Sequence, residues 1–436
     1  MNIMGKSGES AAAGAQNKAE ELTGKAKPVS LPNGRVNQDY EVPFDVESLL
    51  PGVAEYVFVG LSETGLRYDS ENKRIVGKLL APGSHTFTVH CLRRCWTDGQ
   101  PVLKREFSII VNPDPRSLWN QIETPLDCEF YKPDSNCARA DTAAMLAAAG
   151  KAGVECKTML AASQRGRSHA HEGKPRDDDF ALHFDPETEW YILTVADGAG
   201  SAKYSRRGSE IACATVVDVC RAKIGEHGKE LERFIAEYRE SNDALKPVGD
   251  ALYNILGTAV FRAYKEIESE AKTMNLPVKN FATTLIVSVC RRFDFGWFIG
   301  AFWVGDGGIG VYRRDPPYLK ILGEPDGGEF AGQTRFLTMP EIFSPDGFYK
   351  RLRFDLMQDF TALVMMTDGV TDAKFETDAN LLDIEHWRAL MDDLAGANEE
   401  GTVVDFAKED ADLKLLKWLD FWSKGNHDDR TIAILS

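Results

Sequence analysis

The chain has 436 residues, 43% of them hydrophobic, and a formal charge of −16 at neutral pH. That length suits two or three packed domains, and the acidic balance argues against a nucleic-acid partner held by a general positive field. No stretch approaches the ~18 apolar residues of a membrane span, and the eight cysteines show no Cys-x-x-Cys spacing. Read as reduced thiols, they fit a soluble cytoplasmic protein.

Residues 1–30, rich in Ala, Gly, Lys, Glu and Ser, show no sustained apolar period and are expected to fray. From Leu31 the texture changes to short apolar runs, Tyr56 to Val59, His85 to His90 and Phe107 to Val111. Turn signals such as Pro51-Gly52 and Pro82-Gly83 separate them. Residues 31–112 therefore read as a small antiparallel β-sandwich, with Phe87 and Val89 on one face. Its size and pattern resemble the immunoglobulin-like modules attached to bacterial enzymes, whose usual work is binding. The run Asn112-Pro-Asp-Pro115 breaks it off. A connector over 113–157 follows, with an Ala-rich helical piece near Ala138 to Ala152.

The remaining stretch, 158–436, reads as one catalytic domain. Strand-like runs fall at Trp190 to Ala196, Thr284 to Cys290, Gly296 to Val304, Ile309 to Arg313, Leu363 to Thr367 and Thr431 to Leu435. Between them, Val248, Leu252, Leu256, Val260 and Tyr264 form one helical stripe and Ile211, Thr215 and Val219 another. A further helical block spans about Ile384 to Trp422. Antiparallel strands interrupted by a helical pair between Ser205 and Met274 imply an α+β architecture of two packed sheets with helices outside.

Aspartates recur where these strands end. Asp197 follows Trp190 to Ala196 in Ala-Asp-Gly, Asp306 follows Val304 in Gly-Asp-Gly-Gly, and Asp368 sits in Thr-Asp-Gly-Val-Thr-Asp372. Asp428 opens the last strand in His427-Asp-Asp-Arg, and Asp179 closes Lys174-Pro-Arg-Asp-Asp-Asp179. Alone, each is a turn residue. Together they would meet at one rim of the sheets as like charges that need cations between them. Carboxylates, a backbone carbonyl such as that of Gly198, and water are hard donors, suited to Mg²⁺ or Mn²⁺. Two such ions would activate water and neutralise a phosphate, which is phosphoryl-hydrolysis chemistry.

In order, Ser168-His169 with Gly173 to Asp179, Val195-Ala-Asp-Gly, Ala282-Thr-Thr-Leu285, Gly305-Asp-Gly-Gly308, a strand from Gly328 to Thr338, Thr367-Asp-Gly369 and Asp428-Asp429 resemble the metal-dependent protein phosphatases of type 2C (PPM), from about Ala162 to Ser436. The resemblance implies an α-β-β-α sandwich of two antiparallel sheets flanked by helices. It also implies hydrolysis of phosphoserine and phosphothreonine in proteins by a metal-bridged water attacking phosphorus in line. Two Mn²⁺ or Mg²⁺ ions are implied, and a third in bacterial members. By this likeness Asp197 bridges the ions, Gly198 lends its carbonyl, Asp368 and Asp428 complete one shell, Asp178 and Asp179 act through water, and Asp306 and Asp372 hold the third ion. The phosphate-binding arginine of the family aligns with Lys174, with Arg176 nearby. Where eukaryotic members carry a histidine after the central Asp-Gly, this chain has Ala199, so His169 or a metal-bound water is left to protonate the leaving group. A phosphoprotein substrate and a cognate Ser/Thr kinase are the implied partners, with the N-terminal module as a docking element. The other readings are a pseudophosphatase scaffold and a small-molecule phosphatase with the same metal site.

Overall fold

The computed structural model describes residues 28–93, 103–326 and 334–436. Residues 1–27 of the expected fraying segment, Cys95, and residues 328–333 of the expected Gly328 to Thr338 strand lie outside the described residues. Two compact units divide the chain, Met1–Trp119 and Asn120–Ser436.

The first unit contains β1 (Val29–Ser30), β2 (Gly34–Arg35), β3 (Asp39–Pro43), β4 (Val53–Val59), β5 (Leu66–Asp69), β6 (Arg74–Lys78), β7 (Gly83–Arg93) and β8 (Leu103–Asn112). One sheet runs β1-β8-β7-β4 with β2 also on β8, and the other runs β3-β6-β5. Alternation puts Phe87, Val89 and Cys91 of β7 inward beside Phe107, Ile109 and Val111 of β8, all buried. Phe87 and Phe107 are direct cross-strand partners with stacked rings 5.4 Å apart. The sheet is not wholly antiparallel as expected, because β1 and β2 pair in parallel with β8.

The second unit is built on two antiparallel sheets. Its strands are β9 (Ser135–Ala140), β10 (Met159–Gln164), β11 (Asp179–Asp185), β12 (Trp190–Ala196), β13 (Leu285–Phe293), β14 (Gly296–Val304), β15 (Gly308–Arg313), β16 (Tyr318–Gly323), β17 (Leu352–Met357), β18 (Ala362–Met366) and β19 (Arg430–Leu435). The orders are β11-β12-β13-β14-β17 and β16-β15-β18-β19-β10-β9. Tyr191, Leu193 and Val195 of β12 face the inter-sheet core with Met365 and Ala433, whereas Trp190 and Ile192 face helices Ser205–Glu240 and Thr258–Thr273. Leu160, Val364, Ile432 and Ile434 face helices Ile384–Leu394 and Ala411–Leu419 on the far side. Both faces of each central strand are thus covered, which is why these strands read as unbroken apolar runs. Each fully buried Leu, Val, Ile or Phe contributes about 1.5–3 kcal/mol to this α-β-β-α stack.

Several elements differ from expectation for physical reasons. Residues 138–140 lie in β9, the edge strand paired with β10, and the helix is confined to Thr142–Ala148 behind its Asp141 cap. The stretch expected as a connector therefore supplies a strand to the second unit. On helix Ser205–Glu240 the fully buried stripe is Ala212, Cys213, Val216 and Cys220, one residue off the expected one, whose members flank it half-buried. The block from Ile384 to Trp422 is two helices, because residues 395–410 leave the helical period. Arg335 to Thr338 is a loop and turn instead of a strand.

Candidate active site

Sheet register gathers the strand-end acids. Asp179 pairs opposite Ala196, Leu285 opposite Val304, and Met366 opposite both Gly308 and Ile432. Asp197, Asp306 and Asp368 each follow one of these ends, and Asp178 and Asp428 precede one, so all five stand at the same rim. Carboxylate oxygens of Asp197, Asp306 and Asp368 lie within 4.8 Å of one another. Ligand atoms of His169, Asp428 and Asp429 form a second such group.

The backbone around Asp197 is pinned. Its N–H donates to Thr284 Oγ1 at 2.9 Å, and its carbonyl accepts from Thr283 Oγ1 and Thr284 N–H, both at 2.8 Å. Gly198 bridges to Thr283 with its Cα facing the Asp177 carbonyl, where a Cβ would come within 2.7 Å. Asp178 is wholly buried, and its Oδ2 accepts from Thr367 Oγ1 at 2.9 Å. Thr334 donates to Asp306 Oδ2. The Oδ1 atoms of Asp178, Asp306 and Asp368 are buried and have no hydrogen-bond partner.

Burial followed by mutual repulsion drives these carboxyls upward. Asp197 and Asp368 are pushed well above the usual carboxylate range, the first by burial and then Asp368, the second by burial and then Asp306. Asp178 is raised to about 7 by burial and then Asp429. Asp428 and Asp372 also rise, through desolvation first and then Asp429 and Asp306 respectively. Asp429 behaves oppositely. Although burial opposes its charge, it accepts from His169 Nδ1 (3.1 Å), Gly166 N–H (2.6 Å) and Asp177 N–H (2.6 Å), and it is held below the ordinary value. His169, in turn, is disfavoured as a cation by burial but raised to about 9 by Asp429, then Asp177 and Asp428.

The remaining expected residues divide. Arg176 is 2% exposed, and its Nε and Nη1 have no partner. Lys174 is exposed and paired with Glu172 at 2.5 Å. Asp372 is exposed, with its Oδ2 3.5 Å from Asn426 Nδ2. Asp179 is engaged elsewhere, its Oδ2 2.9 Å from the Lys132 ammonium. Sequence reasoning quoted Asp429 and Thr367 within motifs but gave them no role, and it passed over Lys132. The tandem Asp428-Asp429 was the one local signal for the first of these, and the other two act only through tertiary contact.

A model of the family described as protein phosphatase 2C matches residues 165–420. The chain belongs to that family. The matched span holds Asp178, Asp197, Asp306 and Asp368, and it ends before Asp428. Several solved phosphatases resemble this family member. A bacterial serine phosphatase is 13% identical, at a TM-score of 0.35 over 64% of this chain and 96% of that one. PppA, a key regulatory component of T6SS in Pseudomonas aeruginosa, is 17% identical, at 0.39 over 65% and 98%. The catalytic domain of the serine/threonine phosphatase PstP, solved with two manganese ions, is 15% identical, at 0.37 over 64% and 98%. No curated protein matches.

Proposed function

We propose that this protein 2C-family chain is a Mn²⁺- or Mg²⁺-dependent phosphatase of phosphoserine and phosphothreonine in cytoplasmic proteins. The carrying observation is that Asp178, Asp306 and Asp368 each keep a buried, unpartnered Oδ1 beside Asp197. Unpaired buried carboxylates are costly, and an all-oxygen donor set fits a hard divalent cation. Asp197, with the Gly198 carbonyl, would hold two ions, Asp368 and Asp428 would complete the set, and Asp306 with Asp372 would take a third. When bound, such ions supply a nucleophile from water near neutral pH and offset phosphate charge.

The chain's own residues provide the rest. Asp178, oriented by Thr367, is the acid of the first motif in this reading, since Asp179 is spent on Lys132. Arg176 is favoured over Lys174 for the substrate phosphate because its Nε and Nη1 are unspent and Lys174 is turned to Glu172. His169, cationic at neutral pH beside Asp429, carries a proton suited to the leaving alkoxide. The N-terminal sandwich is proposed as an immunoglobulin-like docking module for a partner, such as a kinase acting on the same substrates.

The purified protein should hydrolyse a phosphothreonine peptide with added Mn²⁺ and lose at least roughly 10³-fold in kcat on Asp197→Ala. Turnover that survives excess chelator would sink the proposal. Mn²⁺ binding without turnover would favour the scaffold reading, and preference for small phosphate esters over phosphopeptides would favour a metabolite substrate.

A further inference from the structure

Lys132 lies in the second unit upstream of the family-matched span, which begins at residue 165. It is 6% exposed, and each of its three donors is directed at the first acidic motif or its support. Its Nζ stands 2.9 Å from Asp179 Oδ2, 3.3 Å from the Asp178 carbonyl and 2.9 Å from Ser209 Oγ. Ser209 donates onward to the Asp177 carbonyl at 2.5 Å. The 177–179 loop is thus held from one side by a buried ammonium and from the other by Asp429, which accepts the Asp177 N–H.

We infer that Lys132 is a positioning residue that acts as an internal counter-cation. It withdraws Asp179 from the carboxylates offered to a metal and fixes the carbonyl of Asp178, so the centre works with one acid fewer than the Asp177-Asp178-Asp179 run offers. This rests on the metal reading above. Two features support a charge role over simple packing. Burying an ammonium is costly unless it is paired, and here the pairing partner is the motif's own carboxylate. The neighbouring Asp178, by contrast, keeps an oxygen with no donor at all.

A charge role makes opposite predictions for the two partners. Lys132→Met, close in volume and uncharged, leaves Asp179 unneutralised beside the cluster. Mn²⁺ should then bind roughly 3- to 10-fold tighter, while kcat falls because the Asp178 carbonyl is released. Asp179→Asn leaves the ammonium unneutralised and should weaken Mn²⁺ binding by a similar factor. The double variant restores the local charge and should return the Mn²⁺ Kd to within about twofold of wild type.

The measurement is free Mn²⁺ by electron paramagnetic resonance during titration of the full chain, with thermal melting as the folding control. Singles that shift the Kd in the same direction, or folded singles that do not shift it, would overturn the inference. If Lys132→Met fails to fold, Asp179→Asn still decides by the sign of its shift. A wild-type chain that binds no Mn²⁺ would overturn the metal reading and this inference with it, whereas wild-type binding with unmoved variants defeats the inference alone.

Discussion

Asp178 and His169 carry different charges but push stability the same way with pH. Without metal, Asp178 is raised to about 7 from an ordinary carboxyl near 4, so the folded state binds more protons than the unfolded one across that window. Stability from this group is therefore lost as pH rises from about 4 to about 7. His169, raised to about 9, contributes stability that is complete below about 6.5 and is lost as pH climbs through 9. In chelator, the melting temperature should fall between pH 5 and pH 8, and Asp178→Asn should flatten that fall. Mn²⁺ should raise the melting temperature more at pH 8 than at pH 5, because binding then displaces fewer protons. A chelated protein with an equal or higher melting temperature at pH 8 would contradict the crowding described at the rim. Asp197, Asp306, Asp368 and Asp428 were legible in the sequence because each stands at the end of an apolar run. Asp429 and Lys132 were not, since their work depends on partners hundreds or tens of residues away.

The strongly apolar strands β12, β14 and β19 were readable almost to the residue, because burial on both faces leaves an unbroken hydrophobic signature. β9, whose Ser135–Ala140 is only half-buried, and β16, with its exposed Lys320, carry no such run and depend on their sheet neighbours. The stripe Val248, Leu252, Leu256, Val260 and Tyr264 advances by four residues each time, drifting about 40° per step on an ideal α-helix. A π-helical turn at Tyr253–Gly257 absorbs the drift, and all five side chains are buried. Helix Asp368–Phe375 starts against the C-terminal strand so closely that a Cβ on Gly369 would lie 1.9 Å from the Asp429 carbonyl. Gly369→Ala should destabilise the second unit by about 1–3 kcal/mol and weaken Mn²⁺ binding. Gly200→Ala, where a Cβ meets nothing within 4 Å, is the control and should leave the melting curve in place.

At the scale of the whole molecule, two units have separate cores, and every acid of the candidate centre belongs to Asn120–Ser436. A chain beginning at Asn120 should keep aryl-phosphate turnover within about twofold of the full chain while losing partner-dependent dephosphorylation. Equal loss of both activities would assign the sandwich a purely structural role. Beginning instead at residue 158, where sequence texture suggested the catalytic domain starts, removes β9 and Lys132 together. Such a chain should bind Mn²⁺ abnormally even if it folds, which metal titration of the two truncations would separate.

Asp429 also sets an order on synthesis. It stands just before β19, which lies between β18 and β10 in the middle of its sheet. Until the ribosome has released Arg430–Leu435, β18 and β10 have no strand to join them, and the helix carrying His169 has no carboxylate to anchor it. Every emerging chain is therefore without its assembled centre until β19 has been made, and a chain cut short before that strand lacks both the joined sheet and the Asp429 anchor.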